Sequence, residues 1–171
     1  MCDMYISLYC VDGIFNDYNM LLTNYDIDID STYHRMVGCI IPGEEHRGIS
    51  IKQLKFIYAE IEDRCVREGW NNKNEGPLTP DKVCLYDVNN YIIKERTRDK
   101  QCSYVELIAK GPQKPTWFVS HWWGEPVIAM IRCLEQHCKD HQLSEETAYY
   151  WICVSTVVSV FCALLHHVLT F

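Results

Sequence analysis

Two short, almost wholly apolar runs constrain the fold of this chain more than any other feature. The first run, 116–120, reads Thr-Trp-Phe-Val-Ser after a Gly-Pro turn, and the second, 149–154, reads Tyr-Tyr-Trp-Ile-Cys-Val. Runs of this length and composition are typical of strands buried on both faces, as in a parallel sheet. Between them, Pro126 opens a segment with apolar residues at helical spacing. The pattern therefore predicts one βαβ unit with parallel strands.

A long amphipathic helix is predicted upstream, over 50–69. Ser50 and Gln53 have the spacing of a capping box, in which two side chains satisfy two free backbone N–H groups at the helix start. Gly69 suits the left-handed conformation that often follows a helix end. Six apolar residues at three- and four-residue spacing form one stripe along this helix: Ile51, Leu54, Ile57, Tyr58, Ile61 and Cys65.

Two shorter helices are predicted before the βαβ unit. In the first of them, Thr79 is the expected cap and Pro80 is the first helical residue, where the missing N–H of proline costs nothing. The next helix is expected to begin at Cys102 or Ser103, with Glu106 as the partner in a second capping box. The chain therefore contains about three helices ahead of its apolar strands.

These elements predict an α/β fold, with a helical N-terminal region followed by an incomplete parallel βαβ unit. Two parallel strands do not form an independent sheet that buries both faces. The missing strands must come from the N-terminal segment or from a partner chain, unless they are absent altogether. The chain divides into a poorly patterned N-terminal segment, a helical region, the βαβ unit and a hydrophobic tail: 1–48, 49–110, 111–156 and 157–171.

The composition limits the size of the fold and the kinds of partner. With 171 residues, of which 48% are hydrophobic, the chain has the length of one domain and enough apolar residues for a core. The net charge of −7 argues against a nucleic-acid-binding protein, which needs a cationic face. The ten cysteines include no Cys-x-x-Cys pair, and the acidic start differs from a secretory signal. We therefore expect an intracellular protein whose cysteines are mostly small apolar core residues.

The C-terminal tail has two interpretations. From Ala148 to Phe171 the chain carries no Asp, Glu, Lys or Arg, and this length suffices for a membrane-spanning helix, which needs about 20 apolar residues. Against a span, the start of the tail is β-prone, and the pair His166-His167 is unfavourable in lipid. The tail is therefore either a membrane anchor over 148–171 or a core strand followed by a segment that packs on a sheet. The protein is tail-anchored in the first case and cytoplasmic in the second.

The turn between the first strand and its helix carries the candidate functional residues. Ser120, His121, Gly124 and Glu125 lie where the strand ends, and ligands of open α/β sheets bind beyond the carboxyl ends of strands. The second strand is expected to bring Cys153 to the same edge. We therefore predict a ligand-binding site at the first four residues, with Cys153 beside it.

Each chemical interpretation of this turn has a structural alternative. A Cys153 thiolate paired with His121 and oriented by Glu125 would be a nucleophile, because such a group needs a base and a third group that orients the base. Alternatively, Cys153 packs in the strand and His121 hydrogen-bonds the loop. The helix start at Gly124 and Pro126 would attract an anion such as a nucleotide phosphate, unless Glu125 caps it internally.

A second cluster contains residue types that bind zinc. Cys133, His137 and His141 share a helical face, whereas Cys138 is expected on another face, and the spacing matches no common zinc finger. We therefore predict no metal and no cofactor, with Cys133 facing the core and the histidines solvated.

Two adjacent tryptophans within the turn are candidates for a contact surface. Trp122 and Trp123 either form a recognition surface, because aromatic residues dominate interface anchors, or lock the turn onto the third predicted helix. The first alternative favours a protein as the partner of this chain.

Three motifs stand out in the second half of the chain: LTP…LYD…I…QCSYVEL over 78–107, FVSHWWGEP at 118–126 and YWIC at 150–153. Together they resemble an uncharacterised protist family that is common in dinoflagellates and related microbes. The segment 117–154 is also similar to the opening of Toll/interleukin-receptor (TIR) and fungal heterokaryon-incompatibility domains. Their first strand ends in Ser, an aromatic or basic residue and then Gly-Glu or Gly-Asp. This likeness implies a TIR-like or flavodoxin-like α/β unit.

The chain departs from these families after its second strand. In the protist family, an Asn-Asn-Gln-Trp-like segment and several more strand–helix units follow, whereas this chain continues into 157–171. TIR-type NAD hydrolases use a glutamate on a later helix, which this sequence does not reach. We therefore expect a non-catalytic interaction or signalling-type module. The alternatives are a relative of TIR-type nucleotide hydrolases with its site at 120–125, and a truncated fragment without a function of its own.

Overall fold

A computed structural model describes residues 7–10, 41, 43–72, 76–100 and 102–152 of the chain. Within these ranges the fold is α/β, as predicted. The strands are β1 Ser7–Cys10, β2 Ile49–Ser50, β3 Asn71–Asn72, β4 Gly76–Pro77, β5 Trp117–Ser120 and β6 Tyr149–Trp151. The α-helices are α1 Ile51–Arg67, α2 Leu85–Val88, α3 Lys94–Thr97, α4 Tyr104–Ile108 and α5 Val127–Asp140.

Four strands form the main sheet in the order β1-β5-β6-β2. The two central strands, β5 and β6, run parallel with Trp117 opposite Tyr150, and α5 connects them. This arrangement confirms the predicted βαβ unit. The outer strands β1 and β2 run antiparallel to their neighbours. The strands that complete the sheet therefore come from this chain itself. β1 lies in the N-terminal segment 1–48, as one alternative predicts, whereas β2 lies at the start of the region 49–110.

The first predicted helix is confirmed as α1, together with both of its ends. The backbone N–H of Gln53 donates to Ser50 Oγ at 3.2 Å, and the backbone N–H of Ser50 donates to Gln53 Oε1 at 2.9 Å. Gly69 follows the helix with φ of 65°, a conformation that side chains disfavour. One face of the helix packs into the core against α5, and each buried aliphatic side chain contributes about 1.5–3 kcal/mol. Its buried residues are Ile51, Leu54, Ile57, Ile61 and Cys65.

The helix that the sequence predicts from Pro80 begins instead at Leu85. Pro80–Lys82 forms a single 3-10 turn, and the chain is then extended before the helix begins. The cap is Cys84, whose backbone N–H and thiol both donate to Asp87 Oδ2, each at 3.1 Å. This carboxylate satisfies the free N–H at the new start, which explains why the helix begins there.

A wide turn interrupts the helical segment that follows. Between α2 and α3, Asn89–Ile93 forms a π-helical turn. Within it, Tyr91 stacks on Trp70 with a centroid distance of 4.7 Å, and its hydroxyl donates to the backbone oxygen of Asn71 at 2.8 Å. These contacts fix the segment against the end of α1.

The third predicted helix is confirmed as α4, and Glu106, the acidic residue of its capping box, has a second role. The backbone N–H of Ser103 donates to Glu106 Oε2 at 2.9 Å, as the capping box predicts. The other carboxylate oxygen accepts from the backbone N–H of Ile41 at 2.9 Å. Arg47 Nη2 lies 3.7 Å from the same carboxylate, and both side chains are only 1% exposed. Glu106 therefore joins α4 to the segment before β2 through a buried ion pair.

Candidate functional site

The turn at 120–126 lies at the carboxyl end of the two parallel strands. It follows β5 directly, and Ile152 follows β6 at the same edge of the sheet because the two strands run parallel. Ser7, the first residue of β1, pairs with Ser120 at this edge. The turn therefore occupies the position at which α/β sheets bind ligands, as the sequence predicts.

Backbone hydrogen bonds tie this turn to the residues before and at the start of α2. The N–H of Leu85 donates to the backbone oxygen of Trp123 at 3.0 Å, and the N–H of Val127 donates to that of Val83 at 2.9 Å. A bridge between Cys84 and Pro126 lies between these two bonds. Because both sides of the turn are anchored, its conformation is fixed by the body of the protein.

The two adjacent tryptophans have different environments. Trp123 is half-buried and packs on Tyr86 of α2 with a centroid distance of 5.4 Å. Trp122 is 67% exposed, and its indole lies over Gly124, where a Cβ would overlap the ring. Trp123 therefore holds the turn against a helix, as one of the two alternatives predicts, but the contacted helix is α2 instead of the third predicted helix. The exposed surface belongs to Trp122.

His121, the first residue after β5, has no hydrogen-bond partner for either ring nitrogen in the described part of the chain. Burial lowers the pKa of its imidazole, and the backbone at Val119 opposes this shift without reaching hydrogen-bond geometry. Because the ordinary value is 6.5, the ring is neutral at neutral pH. A neutral imidazole offers one donor and one acceptor.

Glu125 is the carboxylic acid of the turn. Its Oε2 atom is buried and accepts no hydrogen bond from the described residues. Burial raises the pKa of Glu125, and no cation among the described residues lowers it. Since neither ring nitrogen of His121 has a partner among the residues that the structure describes, Glu125 does not orient this imidazole through a hydrogen bond. Cys153 lies outside the described residues, so its pairing with His121 stays a prediction.

The start of α5 has little free capacity for an anion. Pro126 is the cap and makes no side-chain hydrogen bond. The N–H groups of Val127, Ala129 and Met130 already donate to backbone oxygens. Because an anion at a helix start is bound through free N–H groups, this geometry favours neither the predicted phosphate site nor an internal cap by Glu125 Oε2.

The environments of the two cysteines and of His137 in α5 differ from the prediction, whereas His141 is exposed, as predicted. Cys138 is 2% exposed, whereas Cys133 is only half-buried, because Cys138 continues the stripe formed by Leu134. His137 is half-buried, and its Nδ1 lies 2.9 Å from the hydroxyl of Tyr150. Burial lowers the pKa of His137, assisted by nearby His141. The described residues contain no group of three or more candidate ligands suited to a metal ion.

The comparisons with known proteins assign no family to this chain. No family model, no curated protein and no solved structure matches the chain. None of the helices in the described ranges has the length and apolar composition needed to cross a membrane. Most of the predicted anchor, 153–171, lies outside those ranges.

Proposed function

We propose that this chain is a non-catalytic interaction module that binds a peptide segment of a partner protein at the turn 120–126. The observation that carries this proposal is the 67% exposure of Trp122 on a turn that is held in place by the fold. Exposed tryptophans are strongly enriched among the residues that dominate binding energy at interfaces. Trp122 is therefore the expected anchor of the interaction.

The energetics of the turn support this role. Burying a large apolar side chain at an interface contributes about 1.5–3 kcal/mol. The turn is already ordered by the bonds at Leu85 and Val127, so a partner does not have to order it on binding. An anchor of this kind supplies affinity without any rearrangement of its own backbone.

The polar residues of the turn favour binding over catalysis. A nucleophilic mechanism needs a base that is held by an orienting group. His121 and Glu125 lack that hydrogen bond, and Ser120 is exposed at the end of its strand. These residues are better suited to contact a ligand than to transfer a proton in a defined direction.

The proposal is tested by selecting a random peptide library on the immobilised full chain. We expect enriched peptides that bind the unchanged chain and lose most of their binding to the Trp122→Ala variant. The matched control is Phe56→Ala, which removes an aromatic side chain that is 63% exposed on α1. Peptides that bind the two variants equally, or no enriched peptides at all, would refute the proposal.

A second candidate function is nucleotide hydrolysis, the activity implied by the TIR-like resemblance. It is favoured by one observation: His121 and Glu125 have buried polar atoms without a partner in the described ranges, and burial shifts their pKa values in opposite directions. Incubation with NAD⁺ and chromatography for released nicotinamide tests it. Release that is abolished in Glu125→Gln would favour this candidate, and no release above buffer would exclude it.

The start of the predicted anchor, 148–152, is part of the sheet and core, because Tyr149–Trp151 form β6. We propose in addition that the remaining residues, 153–171, tether the module to a membrane. The support is the absence of charged side chains from this part of the sequence. A flotation assay with lipid vesicles tests this tether. It compares the full chain with a chain that ends at residue 154. Flotation of the full chain alone is the expected result, and equal behaviour of both chains would contradict it.

A further inference from the structure

Glu125 and Trp122 belong to one tight turn. The backbone N–H of Glu125 donates to the backbone oxygen of Trp122 at 3.1 Å, which closes the turn around Trp123 and Gly124. The indole of Trp122 covers Gly124, the residue next to Glu125. An exposed aromatic ring and a half-buried carboxyl group therefore lie at the same place on the surface.

Among the described residues, the carboxyl group of Glu125 has no cation beside it, unlike three other shielded carboxylates. Asp87 is also buried without a cation in the described ranges, but N–H and thiol donors satisfy it. Three carboxylates on the described helices each meet a guanidinium or ammonium group. These ion pairs are Glu60–Arg64 at 2.7 Å, Glu106–Arg47 at 3.7 Å and Glu135–Lys55 at 2.6 Å. Glu125 makes no such pair with the residues that the structure describes, and one of its oxygens accepts no hydrogen bond. A buried polar atom without a partner is rare in folded proteins and calls for an explanation.

We propose that the turn binds an arginine side chain of a basic peptide, with the guanidinium between the carboxyl group of Glu125 and the indole of Trp122. This inference rests on the proposed docking function, because it names the partner of the same turn. A guanidinium makes charge-assisted hydrogen bonds to a carboxylate and stacks on aromatic faces. An ammonium does the first as a point charge but stacks less well, so arginine is the preferred residue.

The surroundings of the turn suit a cation. His121 is neutral at neutral pH, so it carries no charge that would repel the guanidinium. Burial without a counter-charge disfavours the ionised form of Glu125, and a bound cation would remove that penalty. The net charge of −7 also draws a basic peptide toward the protein as a whole.

The probes are a fluorescein-labelled Gly-Ser peptide with interspersed arginines and a second peptide in which citrulline replaces each arginine. Citrulline keeps the shape of the side chain and removes its charge. Fluorescence polarisation with the full chain should give at least about tenfold tighter binding of the arginine peptide. Equal binding of the two peptides would overturn the proposal.

Two variants locate the site, and two controls separate it from general charge attraction. We expect Glu125→Gln and Trp122→Ala each to weaken binding of the arginine peptide about tenfold, the effect of losing one charge-assisted or cation–π contact. Glu146→Gln and Phe56→Ala, which alter an exposed carboxylate and an exposed aromatic residue elsewhere, should leave binding unchanged. Equal weakening by Glu125→Gln and Glu146→Gln would show non-specific attraction and overturn the proposal.

The peptide library distinguishes failure of this inference from failure of the docking function. If enriched peptides need Trp122 but carry no basic residues, the docking function stands and the arginine site is wrong. If no enriched peptide needs Trp122, both are wrong. Enrichment of arginine in the peptides that need both Trp122 and Glu125 supports both.

Discussion

Replacement of Glu106 by alanine perturbs the N-terminal half of the fold at one buried carboxylate. Glu106 accepts hydrogen bonds from the backbone N–H groups of Ile41 and Ser103, both at 2.9 Å, and pairs with Arg47 at 3.7 Å. The Glu106→Ala variant leaves the guanidinium buried without its carboxylate. It also removes the capping bond at the start of α4.

The magnitude follows from these contacts. Breaking a buried ion pair by removing one partner costs about 3–5 kcal/mol, and losing a helix cap costs about 1 kcal/mol. A loss of about 4–6 kcal/mol is a large part of a total stability of about 5–15 kcal/mol. With a urea dependence of about 2 kcal/mol per molar, the unfolding midpoint should fall by about 2–3 M. Urea titration followed by circular dichroism measures this shift.

The control for this prediction is an exposed ion pair. Glu146 Oε1 lies 2.8 Å from Lys52 Nζ, with both side chains about two-thirds exposed (66% and 69%), so Glu146→Ala should leave the midpoint nearly unchanged. Glu106→Gln keeps most of the shape and one acceptor, and its midpoint should lie between those of the two alanine variants. If Glu106→Ala moves the midpoint no further than Glu146→Ala does, the buried network does not stabilise the fold as argued.

Two further predictions concern stability. Gly69→Ala forces a side chain into a backbone φ of 65° and should destabilise the protein by about 1–2 kcal/mol. Gly111→Ala is the control and should be nearly neutral, because a Cβ at Gly111 meets nothing within 4 Å. Thermal unfolding of both variants measures the difference. Burial lowers the pKa values of His121 and His137 below the unfolded value of 6.5. The unfolded chain therefore binds more protons at these two residues than the folded chain does. The stability contributed by the neutral rings is lost as the pH falls below 6.5. The urea midpoint should therefore differ less between pH 7.5 and pH 5.5 in a His121→Asn, His137→Asn double variant than in the unchanged chain. An equal difference in both proteins would show that these two histidines do not cause the pH dependence.

The parts of the fold that the sequence predicts correctly depend on local patterns. The capping boxes at Ser50 and Ser103 need only a residue and its neighbour three positions later, and both are present. The βαβ unit follows from two apolar runs around one amphipathic segment, and β5 and β6 do pair in parallel. Signals confined to neighbouring residues survive folding because tertiary contacts reinforce rather than replace them.

The start of α2 differs from the prediction although the residues that determine it are close in sequence. Thr79 and Pro80 have the composition of a helix start, but the stronger box is formed by Cys84 and Asp87. The acidic residue three positions after Cys84 is visible in the sequence. A cysteine is a less common cap than threonine, and the sequence alone does not show that its thiol and N–H share one carboxylate.

What the sequence predicts wrongly or leaves open beyond this helix start depends on contacts between distant parts of the chain. His137 lies next to Tyr150 only because α5 packs on β6, and no spacing in the sequence encodes this contact. Trp122 and Trp123 lie in a turn, where no period assigns one residue to the core and the other to solvent. The pairing of β1 with β5 is likewise set by the folded chain, because β1 is too short to show a pattern of its own.

The most direct test of the account follows the indole N–H resonances of the tryptophans while the arginine peptide is added to the full chain. The Trp122 resonance, assigned by its loss in Trp122→Phe, should shift with saturation, because this ring is 67% exposed at the proposed site. The resonance of Trp70, which is 2% exposed and stacked on Tyr91, should stay in place. A Trp122 resonance that does not move at peptide concentrations that saturate binding would contradict the claim that this turn is the docking surface.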